Sequence, residues 1–311
     1  MSAPSPATMS QRGLRVAVEV ARDAGLPVGR PVVLRDGSNL LVHLRPAPVV
    51  ARVATATGLM RAGPRWLARE VAVAGHLARA GAPVVAPSAE IVPGPHVRNG
   101  LALTFWEYAE ESAAPADAAE AGRRLRRCHE ALAAFEGDLP RLGVLDEVEG
   151  IVERLAGTGT VSPDDATVLR RVAAAVREGV ERLALPLQAV HGDAHLGNVL
   201  ATSRGPLWND WEDTFLGPLA WDLACLGAAA RPFGRHDPAR IAAARAGYGD
   251  RHDAPAVETC VDARRLQISV WGLAFAVSRS DDVEVRRHLR WVRERHRRGR
   301  ADPVPARRAG R

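Results

Sequence analysis

An α+β fold, with strands first and helices after, is what this sequence predicts, and three observations predict it. Short apolar runs separated by turn residues crowd the stretch from Pro31 to Trp106. Beyond Tyr108 the pattern changes to long segments rich in Ala, Leu, Arg and Glu with helical spacing. The chain also has 311 residues, 47% of them apolar and 25% charged, which suffices for one large domain or two lobes with sizeable cores.

Taken in order, residues 13–25 have helical spacing and stop at Gly25. Three β-like runs follow, Pro31–Arg35, Asn39–Leu44 and Pro48–Ala54, joined by Asp36-Gly37-Ser38 and by Arg45-Pro46-Ala47. Their turns are short enough for an antiparallel meander. A helix is expected from Pro64 to Ala80, with Trp66, Val71, Ala74 and Leu77 facing a core and Gly81 ending it. A run through Val84–Ala89 and Ile91–Val92 leads to Leu101–Trp106, the last strong strand signal. Helices are then expected over 116–134, 146–156, 164–184, 217–231, 238–248 and 255–298. The acidic segment Glu107–Glu111 joins the two halves. The expected division is residues 1–106, a linker at 107–111, a helical part at 112–298 and a basic disordered tail at 299–311.

Charge and cysteine usage narrow the class. There are 42 basic and 36 acidic residues, a net +6, and every basic residue is arginine. Between Arg286 and Arg311 stand eleven arginines against Glu294 and Asp302, a local +9, so the rest of the chain sums to −3. The basicity therefore belongs to a solvated terminus, and no basic patch interleaved with aromatics occurs elsewhere, which argues against nucleic-acid binding. Cys128, Cys225 and Cys260 are odd in number and widely spaced, so they form no disulfide framework and no C-x-x-C metal pair. No apolar run is long enough to span a bilayer, and Met1–Gly13 lacks a secretion signal. It reads as a short disordered tail on a cytoplasmic protein.

Chemistry concentrates in one segment. Val190 ends a short apolar run, then come His191-Gly192-Asp193-Ala194-His195-Leu196-Gly197-Asn198. Val199-Leu200-Ala201, a Ser203-Arg204-Gly205 turn and Pro206–Asp213 follow. Two short strands around that turn bring Asp193, Asn198 and Asp210 close together. Phosphoryl transfer asks little covalent chemistry of side chains; it asks for positioning and charge neutralisation. An Asp orients the acceptor hydroxyl and takes its proton, while an Asn oxygen and a second Asp give Mg²⁺ hard ligands. Taken singly, Asp193 also reads as a turn cap, Asp210 as a strand-end acid and Asp222 as a helix N-terminal acid. A rival reading makes His191, Asp193 and His195 an H-x-D-x-H chelate of a metal-dependent hydrolase.

H-G-D-x-x-x-x-N followed by a hydrophobic-flanked Asp resembles the aminoglycoside phosphotransferase and choline kinase family, relatives of the protein kinases. Gly217-Pro218-Leu219-Ala220-Trp221-Asp222-Leu223-Ala224 resembles that family's G-x-P-x-x-D-L-A stretch. The resemblance implies a two-lobed, protein-kinase-like fold and transfer of the γ-phosphoryl group of ATP or GTP to a small-molecule hydroxyl. It makes Asp193 the base, Asn198 and Asp210 the Mg²⁺ ligands, and His191 and Asp222 structural braces of the loop.

The same resemblance sets demands upstream. A turn over the phosphates falls at Arg35–Asn39, with Gly37 and Ser38 at its tip. The cation for the α- and β-phosphates, usually lysine, falls on Arg52, and an acid to pair with it on Glu70. Arginine binds phosphate bidentately and is not equivalent to lysine, so a nucleotide-binding relative with weak catalysis is the alternative. The nucleobase is expected at the Glu107 carbonyl and the Ala109 amide, beside Trp106. A cationic acceptor needs acidic or aromatic walls, for which Glu212, Asp213, Trp271 and Trp291 are candidates. The acceptor that the resemblance implies is an aminoglycoside-like antibiotic, an amino alcohol or a sugar.

Overall fold

A computed structural model describes residues 6–61, 63–228, 237–249 and 253–301. They form an α+β fold with an N-terminal antiparallel sheet and a mainly helical C-terminal part. The chain divides into two compact units, one of Met1–Leu139, Gln188–Thr214 and Asp237–Asp250, the other of Pro140–Leu187, Phe215–His236 and Arg251–Arg311. No helix among the described residues is long and apolar enough to cross a membrane.

The first unit opens with α1 (Pro6–Asp23), then β1 (Val28–Asp36), β2 (Asn39–Pro46), β3 (Val49–Ala54), the short α2 (Ala56–Met60), α3 (Arg65–Arg79), β4 (His96–Arg98) and β5 (Leu101–Glu107). The strands make one antiparallel sheet in the order β1-β2-β3-β5-β4. Alternation sorts its residues by face. Leu40, Val42, Leu44, Ala51, Val53, Leu103 and Phe105 pack with Val16, Ala17, Val20 and Ala21 of α1. Ala54 and Ala102, out of phase with these, meet Trp66 and Leu67 of α3 instead. Arg52 lies on this second face, paired in register with Leu41 and Thr104.

Four expectations change here. α1 begins at Pro6, so the tail expected to reach Gly13 is helix from that point, with Met9 packed on the sheet core; residues 1–5 lie outside the described residues. The buried stripe of α3 takes Leu67 and Val73, while Val71 is only partly buried. Val84–Ala89 forms no strand, because Pro83 and Pro87 bring no donor; its neighbours bond irregularly, Val85 N–H to the Trp208 carbonyl and Ser88 N–H to that of Phe105. β4 went unread although Asn99-Gly100, both left-handed, mark a hairpin into β5.

The unit is completed by α4 (Ala118–Leu132), β6 (Gln188–Val190), β7 (Val199–Leu200), β8 (Leu207–Trp208) and, in space, α8 (Pro238–Tyr248). α4 and α8 cross closely through Gly122 and Gly247. A Cβ on Gly122 would stand 2.8 Å from the Tyr248 nitrogen, and one on Gly247 2.6 Å from the Ala119 carbonyl carbon.

The second unit contains α5 (Gly143–Gly157), α6 (Pro163–Arg182), β9 (Phe215–Gly217), α7 (Leu219–Ala228), α9 (Ala254–Ser278) and α10 (Asp282–Ala301). Ser162 caps α6, accepting from the Asp165 N–H at 3.1 Å, and Pro163 follows in the first turn. Asp165 in turn receives both prongs of Arg293 on α10, at 2.7 and 2.8 Å. The single helix expected over 255–298 is two, broken where Ser280 turns left-handed and the Asp281 carboxylate accepts from the Glu284 N–H. Short polar side chains such as these compete with helical hydrogen bonds. The second helix runs to Ala301, past the expected start of the tail, and residues 302–311 lie outside the described residues. The end of the helix expected over 217–231 also falls outside them, since α7 is described only to Ala228.

Candidate active site

The loop from His191 to Asn198 is built by its own main chain. Asp193 O accepts from His195 N–H at 2.8 Å, and His195 O accepts from Asn198 N–H at 2.9 Å. A single 3-10 turn over Leu196–Asn198 results, entered through the His195 ring, whose Nδ1 accepts from Gly197 N–H at 3.0 Å. This brings the Asn198 side chain back onto Asp193. Its Nδ2 donates to the Asp193 carbonyl at 2.9 Å and to the carboxylate at 3.2 Å. The amide's donors are thereby used on Asp193, and its oxygen is the group left for a cation.

His191 is fully buried against Trp208 and Trp211, with ring centroids 5.5 and 4.3 Å away. One ring nitrogen, Nε2, is 3.0 Å from the Asn209 carbonyl, and Nδ1 accepts from Asp193 N–H at 3.3 Å. Both nitrogens are committed, so the H-x-D-x-H chelate does not form. Among the described residues no group of three or more His, Cys, Asp and Glu side chains is disposed to hold a metal ion. Gly192 between them has φ +85°, and a Cβ there would stand 2.7 Å from the Asp213 carbonyl carbon. Only glycine lets the loop and the 211–213 turn pass this close.

The two-residue ladder of β7 with β8 carries the chain back, and Asn209 N–H donates to the Asn198 carbonyl at 3.1 Å. Asp210 comes next in the left-handed region, at φ 67° and ψ 57°, a conformation that Asp tolerates better than most residues. The hairpin is moored within its unit by Trp208, whose indole donates to the Ala121 carbonyl at 3.0 Å.

The Asp210 carboxylate meets Arg52. Arg52, 5% exposed, is bound through its guanidinium by Glu70, by Asp210 at 2.8 Å and by Glu212. Glu70 stands in the apolar stripe of α3, which explains its 1% exposure and its dependence on a cation. Burial acts against the charge on Arg52, but Asp210, Glu212 and Glu70 outweigh it and raise its pKa. Burial pushes the carboxyls of Glu70 and Glu212 up, to about 7 and about 8, although the Arg52 charge pulls both down.

The turn after Asp210 holds more than the sequence disclosed. Glu212 and Asp213, candidates for an acceptor wall, are instead committed to arginine. Arg61 reaches Glu212 at 3.3 Å and also binds Asp213, while Arg69 donates to the Glu212 carbonyl at 2.8 Å. The guanidiniums of Arg52 and Arg61 both face the Trp66 ring, at 6.0 and 5.5 Å. Nothing in the spacing of Arg61 or Arg69 marks them, and only the acid two residues after Asp210 hinted at a partner.

The remaining positions fall as follows. Gly37 and Ser38 sit at the tip of β1 and β2, and the Ser38 carbonyl accepts from the Thr55 hydroxyl at 3.2 Å and from the Thr57 N–H and hydroxyl at 3.1 Å. A Cβ at Gly37 would meet nothing within 4 Å, so no contact within the chain requires glycine there. Glu107 ends β5, its N–H given to the Ala86 carbonyl at 2.9 Å, with Ala109 two residues on. Between them Tyr108 stacks on His43 of β2 at 3.7 Å and 14°, a pair the sequence did not suggest. Burial and the Arg45 charge hold the His43 imidazole below its usual pKa. Asp222 lies fully buried in the first turn of α7, in the second unit, where burial, with Asp222 adding to it, pushes the Cys260 thiol up to about 12. Also in that unit, the Trp271 indole donates to Glu147 at 3.2 Å.

Comparison with known proteins gives a consistent picture. The model of the phosphotransferase enzyme family matches residues 33–257. An amicoumacin kinase, hAmiN, solved with AMP-PNP, Ca²⁺ and Ami, superposes with a TM-score of 0.66 at 15% identity, over 89% of this chain and 93% of its own. APH(2")-IIia in its GDP and kanamycin complex gives 0.63 at 13% identity, over 90% and 97%. A choline/ethanolamine kinase family protein from Mesorhizobium loti gives 0.61 at 19%, over 93% and 94%. At these identities the likeness is one of fold. No curated protein matches the chain.

Proposed function

The chain belongs to the phosphotransferase enzyme family, and from that premise we propose that it transfers the γ-phosphoryl group of ATP or GTP to a hydroxyl of a small molecule. The observation that carries this reading is the Asn198 amide on the Asp193 carboxylate, which orients that carboxylate while leaving it 21% exposed. Asp193 accepts the proton of the attacking hydroxyl as the new P–O bond forms. The Asn198 oxygen and the Asp210 carboxylate are hard donors and fit Mg²⁺, which would keep water and phosphate oxygens as its other ligands. When bound, that cation neutralises charge developing on the transferred group.

Arg52, held by Glu70, directs its guanidinium to the α- and β-phosphates, and the main chain at Gly37 and Ser38 closes over them. The Glu107 carbonyl and the Ala109 amide receive the base. His191 braces the catalytic loop. Residues 1–106 then serve as the nucleotide part, 107–111 as the linker and 112–298 as the part that completes catalysis and receives the acceptor. The neighbours solved with GDP and AMP-PNP support a nucleotide donor, and those solved with kanamycin and Ami support a hydroxylated amine as acceptor.

A second reading, a relative that binds nucleotide and turns over weakly, draws on the three carboxylates gathered on Arg52. The test is release of ADP or GDP with Mg²⁺ across a panel of hydroxylated amines, sugars and antibiotics. Acceptor-dependent release is expected. Nucleotide binding with no turnover on any acceptor favours the second reading, and absence of nucleotide binding refutes both.

A further inference from the structure

The Glu212 side chain is 14% exposed, and each of its oxygens meets a different guanidinium. Oε2 binds Arg52 Nη2, and Oε1 is 3.3 Å from Arg61 Nη1. The same Arg52 Nη2 is 2.8 Å from Asp210, while Nη1 goes to Glu70. The guanidinium thus has one nitrogen on α3 and the other shared between two acids of the 210–213 turn.

That sharing has a consequence if Asp210 is a cation ligand. An ammonium is a compact point charge that a single carboxylate can hold, whereas a guanidinium is a planar fork that keeps its orientation only when both prongs are bound. An Asp210 drawn to a cation leaves Nη2 with Glu212 alone. Arg61 makes this arrangement possible, because Glu212 without it would bury an unmatched oxygen. Arg69 fixes the same turn through the Glu212 carbonyl.

We infer that Glu212 is a positioning residue of the nucleotide site, the second anchor of Arg52, required because the phosphate-binding cation is arginine. This rests on the phosphotransferase reading above. Glu212 acts through Arg52 and not on the reacting atoms, so its removal raises the nucleotide KM more than it lowers kcat.

A double-mutant cycle read by calorimetry tests this, with ADP and GDP titrated in EDTA and again with Mg²⁺. Glu212→Ala is expected to weaken binding of the better nucleotide about tenfold, the loss of one charge-assisted hydrogen bond. Glu212→Gln, which keeps the shape and one acceptor, is expected to lose about threefold. Arg52→Lys weakens binding by itself, but in that background Glu212→Ala is expected to add less than about twofold. Melting curves identify any variant that fails to fold, and Glu212→Gln then decides in place of Glu212→Ala. Equal losses in the Arg52 and Lys backgrounds overturn the inference, as does no loss in either, or an Arg52→Lys variant that no longer binds. A wild-type chain that binds neither nucleotide overturns the phosphotransferase reading beneath it.

Discussion

Gly192 and Asp213 pass each other so closely that a Cβ on the glycine would stand 2.7 Å from the carbonyl carbon of the aspartate and nearer still to its oxygen. The glycine of the H-G-D sequence is therefore a packing requirement between the His191–Asn198 loop and the turn that follows Asp210. Gly192→Ala is expected to lose at least about 2 kcal/mol, combining the left-handed backbone penalty with a clash against main chain. A urea titration checks this, and a midpoint equal to wild type would contradict the observed approach.

Under the proposed function Asp193 takes the proton of the attacking hydroxyl. Asp193→Asn keeps the size and an acceptor oxygen but abolishes the base, so turnover is expected to fall roughly 10²–10⁴-fold. Nucleotide affinity should stay within about twofold of wild type, because no phosphate contact is assigned to it. Steady-state kinetics beside a calorimetric Kd separate the two quantities.

Asn198 donates to the Asp193 carboxylate at 3.2 Å and is proposed above as a Mg²⁺ ligand. Asn198→Ala is expected to raise the half-saturating Mg²⁺ concentration at least about tenfold, a loss of about 1.4 kcal/mol, and to lower kcat because the Asp193 carboxylate loses its 3.2 Å partner. Rates measured across a Mg²⁺ series with nucleotide saturating report both effects.

The pair of Asp165 with Arg293 ties α6 to α10. Hydrogen bonds from Arg293, with Ser162 helping, hold the Asp165 carboxyl below the usual carboxylate range against the opposing effect of burial. Its folded pKa is thus depressed, so its stabilisation is fully present above the unfolded value of 3.8 and is lost as pH falls through the lower folded value. Arg293 is 55% exposed and screened, so Asp165→Asn is expected to lose only about 0.5–1 kcal/mol at pH 7. The difference from wild type should vanish in strong acid. Melting temperatures measured from pH 7 downward check the sign.

Within the first unit, α8 packs on α4 through glycine. Gly122→Ala would press a methyl group against the main chain of Ala244 and Tyr248, and is expected to lose about 1–3 kcal/mol. Gly247→Ala should do the same from the opposite side. Hydrogen exchange of the α8 amides is the sensitive readout, since a helix pushed from its seat opens before the unit unfolds.

Much of this protein is written locally. Alternation placed β2, β3 and β5, and helical spacing located α3, α4, α5, α6 and α8 to within a few residues. Gly-Asp and Asn five residues apart marked the loop whose turn brings Asn198 back to Asp193, because a 3-10 turn is decided by its own few residues. Punctuation that was present but unread, Asn99-Gly100 before β5 and the Ser-Asp cluster between α9 and α10, accounts for most misplaced boundaries. What the sequence could not state is which charges meet. Arg52 and Asp210 are 158 residues apart, and Arg52 and Glu212 160, and an ion pair leaves no periodicity at either end. Tertiary structure alone recruited Arg61 and Arg69, turned Glu212 and Asp213 away from an acceptor, and closed the His191 nitrogens to a metal. The reason is energetic. A charge or imidazole taken out of water must find its partners in the folded chain, and only folding decides which groups are buried together.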